Sequence, residues 1–180
     1  MNTDNLILEL RKRAQHSDGL TIGLDTYDEI LSAILNVISN ASSSLKIVVN
    51  QKDPSHKSKF TELFDESVLS DALGHVKLMG VDVEVLSVHP DFEPCNLSGE
   101  LITTFTEAQK KNVIKLQTDS EVIYNDSGDC LLFAKYKNNK KLPNNESINL
   151  FSLDKNGLNK SVSHFFEVLT RDLDGAISHV

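Results

Sequence analysis

Three residues near the middle of the chain have the types and spacing that phosphoryl-transfer chemistry uses. His75, Lys77 and Asp82 form the pattern His-x-Lys-x4-Asp. In such a set a histidine attacks phosphorus, a lysine neutralises the phosphoryl oxygens, and an aspartate orients a histidine. One hypothesis is therefore an active phosphodiesterase or nuclease that uses these residues across a dimer. Because the chain contains six histidines among ordinary numbers of lysines and aspartates, the spacing alone is weak evidence.

The predicted secondary structure around the three residues argues against this hypothesis. Apolar residues recur at intervals of three and four from Phe60 to Met79, which predicts a helix that Gly80 ends. The pattern resembles the active-site signature of the phospholipase D superfamily, in which the His and Lys lie on a strand and both side chains point to one side. On a helix, His75 and Lys77 point about 200° apart. We therefore expect the two side chains to face the negative end of the helix dipole instead.

The first half of the chain has the pattern of a strand–helix–strand unit. Thr26 and Glu29 form a capping box that begins an earlier amphipathic helix. The β-branched run from Leu45 to Val49 is typical of a buried parallel strand, and Val81–Leu86 alternates like a second strand. Two such strands with a helix between them predict a parallel pair with a right-handed crossover.

The second half has the pattern of a hairpin followed by a strand and a helix. Strands over Glu121–Tyr124 and Cys130–Tyr136 are joined by the turn Asn125–Gly128. A last strand over Ile148–Leu153 precedes a closing amphipathic helix over Leu158–Leu173.

These elements predict the fold class. We expect an α/β fold with a mixed, mainly parallel sheet flanked by helices, forming a single domain over residues 20–175. Residues 1–19 are expected to be an N-terminal helical extension. The sequence leaves open whether this extension packs on the domain or swings free.

The order of elements resembles one half of a phospholipase D-like fold over most of residues 27–170. Residues 27–49 resemble the opening helix and strand of that family. The stretch from Asp71 to Leu86 resembles its unit of a helix, Gly-Val and alternating valines. Residues 120–134 resemble the strand–turn–strand that carries its signature, and residues 146–166 resemble its terminal strand and helix.

Laid onto the hairpin, the resemblance implies that the catalytic motif has been lost. The active-site signature of that family is His-x-Lys-x4-Asp. Its Asp falls on Asp126, its Lys on Glu121, and its His on Asp119. Two carboxylates without a metal cannot stabilise an anionic phosphoryl transition state. The resemblance therefore implies a degenerate member that keeps the scaffold without the chemistry, and it also implies pairing into a homodimer.

A basic loop directly after the first core strand is the candidate anion site. It contains Lys52, His56, Lys57 and Lys59. Ligands collect at the carboxyl ends of strands in open parallel sheets, so this loop is well placed to hold a phosphate group. The alternative is a solvated run of charges.

An acidic cluster in the second half is a weaker candidate for cation binding. Asp119, Glu121, Asp126 and Asp129 offer the oxygen ligands that calcium and magnesium prefer, but their spacing fits no known cation loop. A solvated hairpin explains them as well. We therefore expect no metal and no cofactor.

Composition limits the classes of partner and compartment. The net charge of −8 makes bulk nucleic-acid binding and binding to anionic membranes unfavourable. No apolar run is long enough to span a bilayer, and no signal-peptide core is recognisable, so we expect a cytoplasmic protein. Two cysteines are too few for a disulfide framework.

The leading hypothesis is a non-catalytic phospholipase D-like binding or regulatory module that recognises an anionic, phosphate-bearing ligand. Two alternatives stay open: the active phosphodiesterase described above, and a protein-interaction adaptor with an acidic docking surface.

Overall fold

The computed structural model describes residues 3–49, 62–63, 66–87, 102–104, 121–135, 147–157, 160–162, 164 and 167. Within these residues the α-helices are α1 (Thr3–Gln15), α2 (Tyr27–Ser39) and α3 (Ser67–Leu78). The strands are β1 (Thr21–Leu24), β2 (Ser44–Val49), β3 (Asp82–Ser87), β4 (Ile102–Thr104), β5 (Glu121–Asn125), β6 (Cys130–Lys135) and β7 (Ser147–Ser152). Of the predicted closing helix, residues 160–162, 164 and 167 are helical, and its other residues lie outside the described ones.

All seven strands join one mixed sheet in the order β1-β7-β6-β5-β2-β3-β4. The pairs β2–β3 and β3–β4 are parallel, whereas β2–β5, β5–β6, β6–β7 and β1–β7 are antiparallel. The predicted α/β class and mixed sheet are confirmed, but the prediction of a mainly parallel sheet is wrong. A tight turn joins β5 to β6, so these two strands are antiparallel. Within the sheet, β5 of this hairpin pairs with β2. The strands added beyond that hairpin continue the antiparallel pattern.

The capping box begins α2 as the sequence predicts. Thr26 Oγ1 accepts a hydrogen bond from the Glu29 backbone N–H at 3.2 Å. In return the Glu29 carboxylate accepts from the backbone N–H groups of Asp25 and Thr26 at 3.1 and 3.2 Å. Behind this cap, α2 buries an apolar face against the sheet. That core includes Ile34, Ile38, Leu45, Ile47, Ile123, Leu131 and Phe151.

The N-terminal helix α1 packs on α2 and belongs to the same core. Leu10 and Ala14 are completely buried. Arg13 donates to Glu29 at 2.6 Å, so α1 also contacts the cap of α2. The sequence leaves open whether this helix packs on the domain or swings free, and in the structure it packs on the domain.

The opposite face of the sheet is also covered. Residues that alternate with the α2-facing core, such as Val48, Val122 and Cys130, are at most 2% exposed. Val162 in the C-terminal helical residues is 6% exposed. The sheet therefore lies between the α1–α3 layer and a C-terminal helical layer. In the described part of the chain, no helix has the length and apolar character needed to cross a membrane.

Candidate functional site

The residues of the His-x-Lys-x4-Asp pattern lie at the end of α3 and the start of β3. His75 and Lys77 occupy the last helical turn, and Asp82 is the first residue of β3. All three side chains are exposed. Gly80, with φ of 86°, makes the left-handed turn that ends the helix. The helical placement matches the expectation that argues against a catalytic His–Lys pair, and none of the three residues lines the cleft described below.

The predicted basic loop and part of the degenerate motif fall outside the described residues. Lys52, His56, Lys57 and Lys59 follow the end of β2, and Asp119 precedes β5. The role of the four basic residues in anion binding stays a prediction.

Asp126 is a structural anchor between two turns. Its carboxylate accepts five hydrogen bonds from Ser42, Ser43 and Ser44: three from backbone N–H groups at 2.9, 3.1 and 3.3 Å, and two from the hydroxyls of Ser42 and Ser43. Burial alone would raise the pKa of Asp126, but the hydrogen bonds from Ser42 and Ser43 outweigh it and hold the pKa well below its usual range. A carboxylate has about four lone-pair sites, so these bonds leave none to orient a histidine.

Glu121 occupies a buried place on the α2 side of the sheet. It is 3% exposed and pairs in register with Phe133 of β6. Side chains two apart on a strand share a face, so Glu121 lies on the same side as the core residue Ile123. The resemblance places the phosphate-binding lysine here, and the structure has a buried carboxylate instead.

Asp129 belongs to a polar network that sequence analysis missed. Its Oδ2 accepts from Arg11 at 2.7 Å and from Asn40 at 2.8 Å. Asn36 Oδ1 accepts from the same two side chains at 2.8 and 3.0 Å. The only sequence signal was Arg11 and Asn36 standing within otherwise amphipathic helices, which does not identify a partner more than a hundred residues away.

Glu121, Asp126 and Asp129, the members of the acidic cluster that the structure describes, do not converge on a cation site. Glu121 begins β5 and Asp126 follows its end, so roughly 16 Å of strand separates them. Asp129 is neutralised by Arg11. Among the described residues there is no group of three or more His, Cys, Asp or Glu side chains that could hold a metal ion.

A cleft of about 490 Å³ opens between the second face of the sheet and the C-terminal helical residues. Its floor follows one row of paired residues: Lys46 of β2 lies between Glu84 of β3 and Tyr124 of β5, and Tyr124 pairs with Cys130 of β6. The cleft is lined by Ser44, Lys46, Tyr124, Asn125, Asp126, Gly128, Lys155, Lys160, His164 and Glu167.

The cleft brings together cations that are far apart in the sequence. Lys46 lies 3.4 Å from the Glu84 carboxylate, and His164 lies 3.9 Å from the Glu167 carboxylate. Lys155 and Lys160 are exposed, and neither forms an ion pair with another residue of the described ranges. Burial raises the pKa of the nearby Cys130 thiol to about 12, with a smaller contribution from Asp129, so this row offers no thiolate nucleophile.

Gly128 shapes the wall of the cleft. Its φ of 95° is in the left-handed region, which suits the predicted hairpin turn. The stem of Lys155 crosses directly over its Cα, where any Cβ would collide with it. The absence of a side chain at position 128 therefore lets Lys155 reach the cleft.

Comparison with known proteins assigns no relative to this chain. No family model matches it, and neither the curated proteins nor the solved structures give a significant match. A function for this chain is therefore inferred from the geometry of the hairpin and of the cleft.

Proposed function

We propose that this chain is a non-catalytic phospholipase D-like binding or regulatory module for an anionic, phosphate-bearing ligand. The main support for the proposal is that the Asp126 carboxylate accepts five hydrogen bonds from residues 42–44. In the resemblance this is the one motif position that keeps its residue type. Here it fastens two turns together and does not orient a histidine.

The second motif position supports the same proposal. Glu121 is a carboxylate where phosphoryl-transfer chemistry needs a cation, and its burial keeps it from moving aside. A carboxyl group supplies no positive charge, so it cannot neutralise the phosphoryl oxygens in the transition state as a lysine would. The position of the hairpin next to the parallel pair β2–β3 is consistent with the proposed scaffold.

The direct test is hydrolysis by the purified protein. Bis-p-nitrophenyl phosphate and single- and double-stranded DNA are incubated with it in EDTA and, separately, in magnesium. We expect no release of p-nitrophenolate and no DNA cleavage above the buffer blank in either condition. Turnover in EDTA that disappears in His75→Ala would overturn the proposal in favour of the phosphodiesterase that uses His75, Lys77 and Asp82.

Homodimerisation and a cytoplasmic location are parts of the same proposal. The first follows from the resemblance and the second from the sequence. Light scattering on the eluted protein should give a mass near twice the 20.0 kDa of one chain. A mass of one chain at all concentrations would remove the dimer from the proposal.

A further inference from the structure

We propose that the cleft beneath the C-terminal helical residues is a binding site for a small phosphate monoester of about nucleotide size, with Lys155 and Lys160 holding the phosphate. The inference rests on the proposed function in one respect, that the ligand is bound and not hydrolysed. It assigns the ligand to a different place from the predicted loop of residues 52–59.

The charges that face the cleft favour an anion at one place within it. Two carboxylates, Asp126 and Glu167, line the cleft together with three lysines, and Glu84 beside it offsets Lys46. Asp126 stays ionised, but its oxygens accept hydrogen bonds from Ser42–Ser44, and Glu167 lies beside His164. This leaves the ammonium groups of Lys155 and Lys160 as the cations that no described carboxylate neutralises. Two ammonium groups match the two charges of a phosphate monoester, which they bind as charge-assisted hydrogen-bond donors.

The surroundings of the cleft make this arrangement selective. The chain carries a net charge of −8, so its overall field repels large polyanions such as duplex nucleic acid. A small dianion meets less of that field, because salt screens charges that lie more than about 8–10 Å away. Lys155 and Lys160, which form no ion pair with a described carboxylate, can therefore hold a small phosphate although the molecule as a whole is acidic.

The size and lining of the cleft indicate what the phosphate is attached to. Its volume of about 490 Å³ lies within the roughly 300–1,000 Å³ that small-molecule sites occupy, and it is larger than a phosphate ion needs. Ser44 and Glu167 are also among the residues that line the cleft. Such groups suit a sugar, whose hydroxyls donate to a carboxylate and exchange hydrogen bonds with a serine.

The test is calorimetric titration of the full chain with AMP, adenosine and inorganic phosphate at about 0.15 M ionic strength, where the screening length is about 8 Å. We expect saturable AMP binding with a Kd below about 1 mM, binding of inorganic phosphate at least several-fold weaker, and no saturable binding of adenosine. The variant Lys155→Gln/Lys160→Gln should weaken AMP binding at least tenfold. The matched control Lys12→Gln removes an exposed lysine from α1, far from the cleft in the fold, and should leave the affinity unchanged.

Three outcomes would overturn the inference: no saturable binding of AMP or phosphate, equal affinity for AMP and adenosine, or wild-type affinity in the double variant. Because both lysines are exposed, the double variant should unfold at the same temperature as the wild type, which separates lost binding from lost folding. Hydrolysis is measured separately. AMP binding together with phosphodiester turnover would contradict the proposed function and leave this site standing, whereas no turnover and no AMP binding would contradict this site alone.

Discussion

Asp126 shows how one residue of a catalytic pattern can serve structure alone. It follows β5 directly, and its carboxylate reaches the start of β2 at Ser44, 82 positions earlier in the chain. The backbone adds to this link, because the N–H of Asp126 donates to the Ser44 carbonyl at 3.2 Å. The residue thus sets the position of the hairpin against the first core strand.

Replacing the Asp126 carboxylate should weaken that link. Asp126→Asn keeps the shape but removes the charge and half of the accepting oxygens, so we expect the free energy of unfolding to fall by about 1–2 kcal/mol, after allowance for the solvent exposure of the site. Urea unfolding at pH 7 measures it. Asp82→Asn is the matched control, since no hydrogen bond to the Asp82 side chain is present among the described residues, and it should change stability by less than about 0.5 kcal/mol. Equal stabilities for the two variants would contradict the anchoring role.

At the scale of elements, the contact between α1 and α2 is polar at both of its ends. Arg11 donates to Asn36 of α2 at 2.8 Å and also pairs with the buried Asp129, and Arg13 joins Glu29 of the capping box. The pKa of Glu29 is lowered to about 2, first by the hydrogen bond from Arg13, against the opposing effect of burial, and then by the backbone N–H groups of Asp25 and Thr26. One carboxylate thus caps α2 and holds α1.

The stability that Glu29 contributes should depend on pH with a defined sign. Its pKa is lower in the folded chain than in the unfolded chain, so the contribution is complete above about pH 4.5 and disappears as the pH falls toward about 2. Glu29→Gln should therefore destabilise the protein by about 1 kcal/mol at pH 7, and the difference from wild type should shrink as the pH falls below 4.5.

Urea unfolding as a function of pH measures this difference. The control is Asp28→Asn, which removes a neighbouring acid from the first turn of α2 without touching the cap. A difference between Glu29→Gln and wild type that stays constant from pH 7 to pH 3 would contradict the assignment.

At the scale of the whole molecule, short sequence patterns predict individual helices, strands and turns, but they do not predict which strands pair in the sheet. The capping box at Thr26, the left-handed turn at Gly80 and the hairpin turn ending at Gly128 are local, because each depends on residues a few positions apart. Most strand pairs in the sheet are antiparallel because of the edge at which the β5–β6 hairpin pairs. That edge is determined by packing over the whole chain, and the periodicity of single strands does not encode it.

The sequence does not predict the cleft for the same reason. Lys46 stands in an apolar strand, and Lys155 and Lys160 stand in a polar stretch more than a hundred residues later. Sequence reasoning favoured lysines that are neighbours along the chain, at positions 52–59. The cleft instead draws its cations from strand alternation on β2 and from the turn and helix after β7, which only the folded chain brings together.

Both proposals require that this molecule binds a phosphate-bearing ligand without hydrolysing it. The most direct measurement is a ³¹P NMR time course of a 5′-phosphorylated thymidine dinucleotide with the purified chain in EDTA. Its terminal monoester and its internal diester give separate signals, so one experiment reports both binding and cleavage. We predict that the monoester signal shifts or broadens as protein is added, and that no product signal appears over a day. Loss of the diester signal would contradict the account, and so would a monoester signal that the protein leaves unchanged.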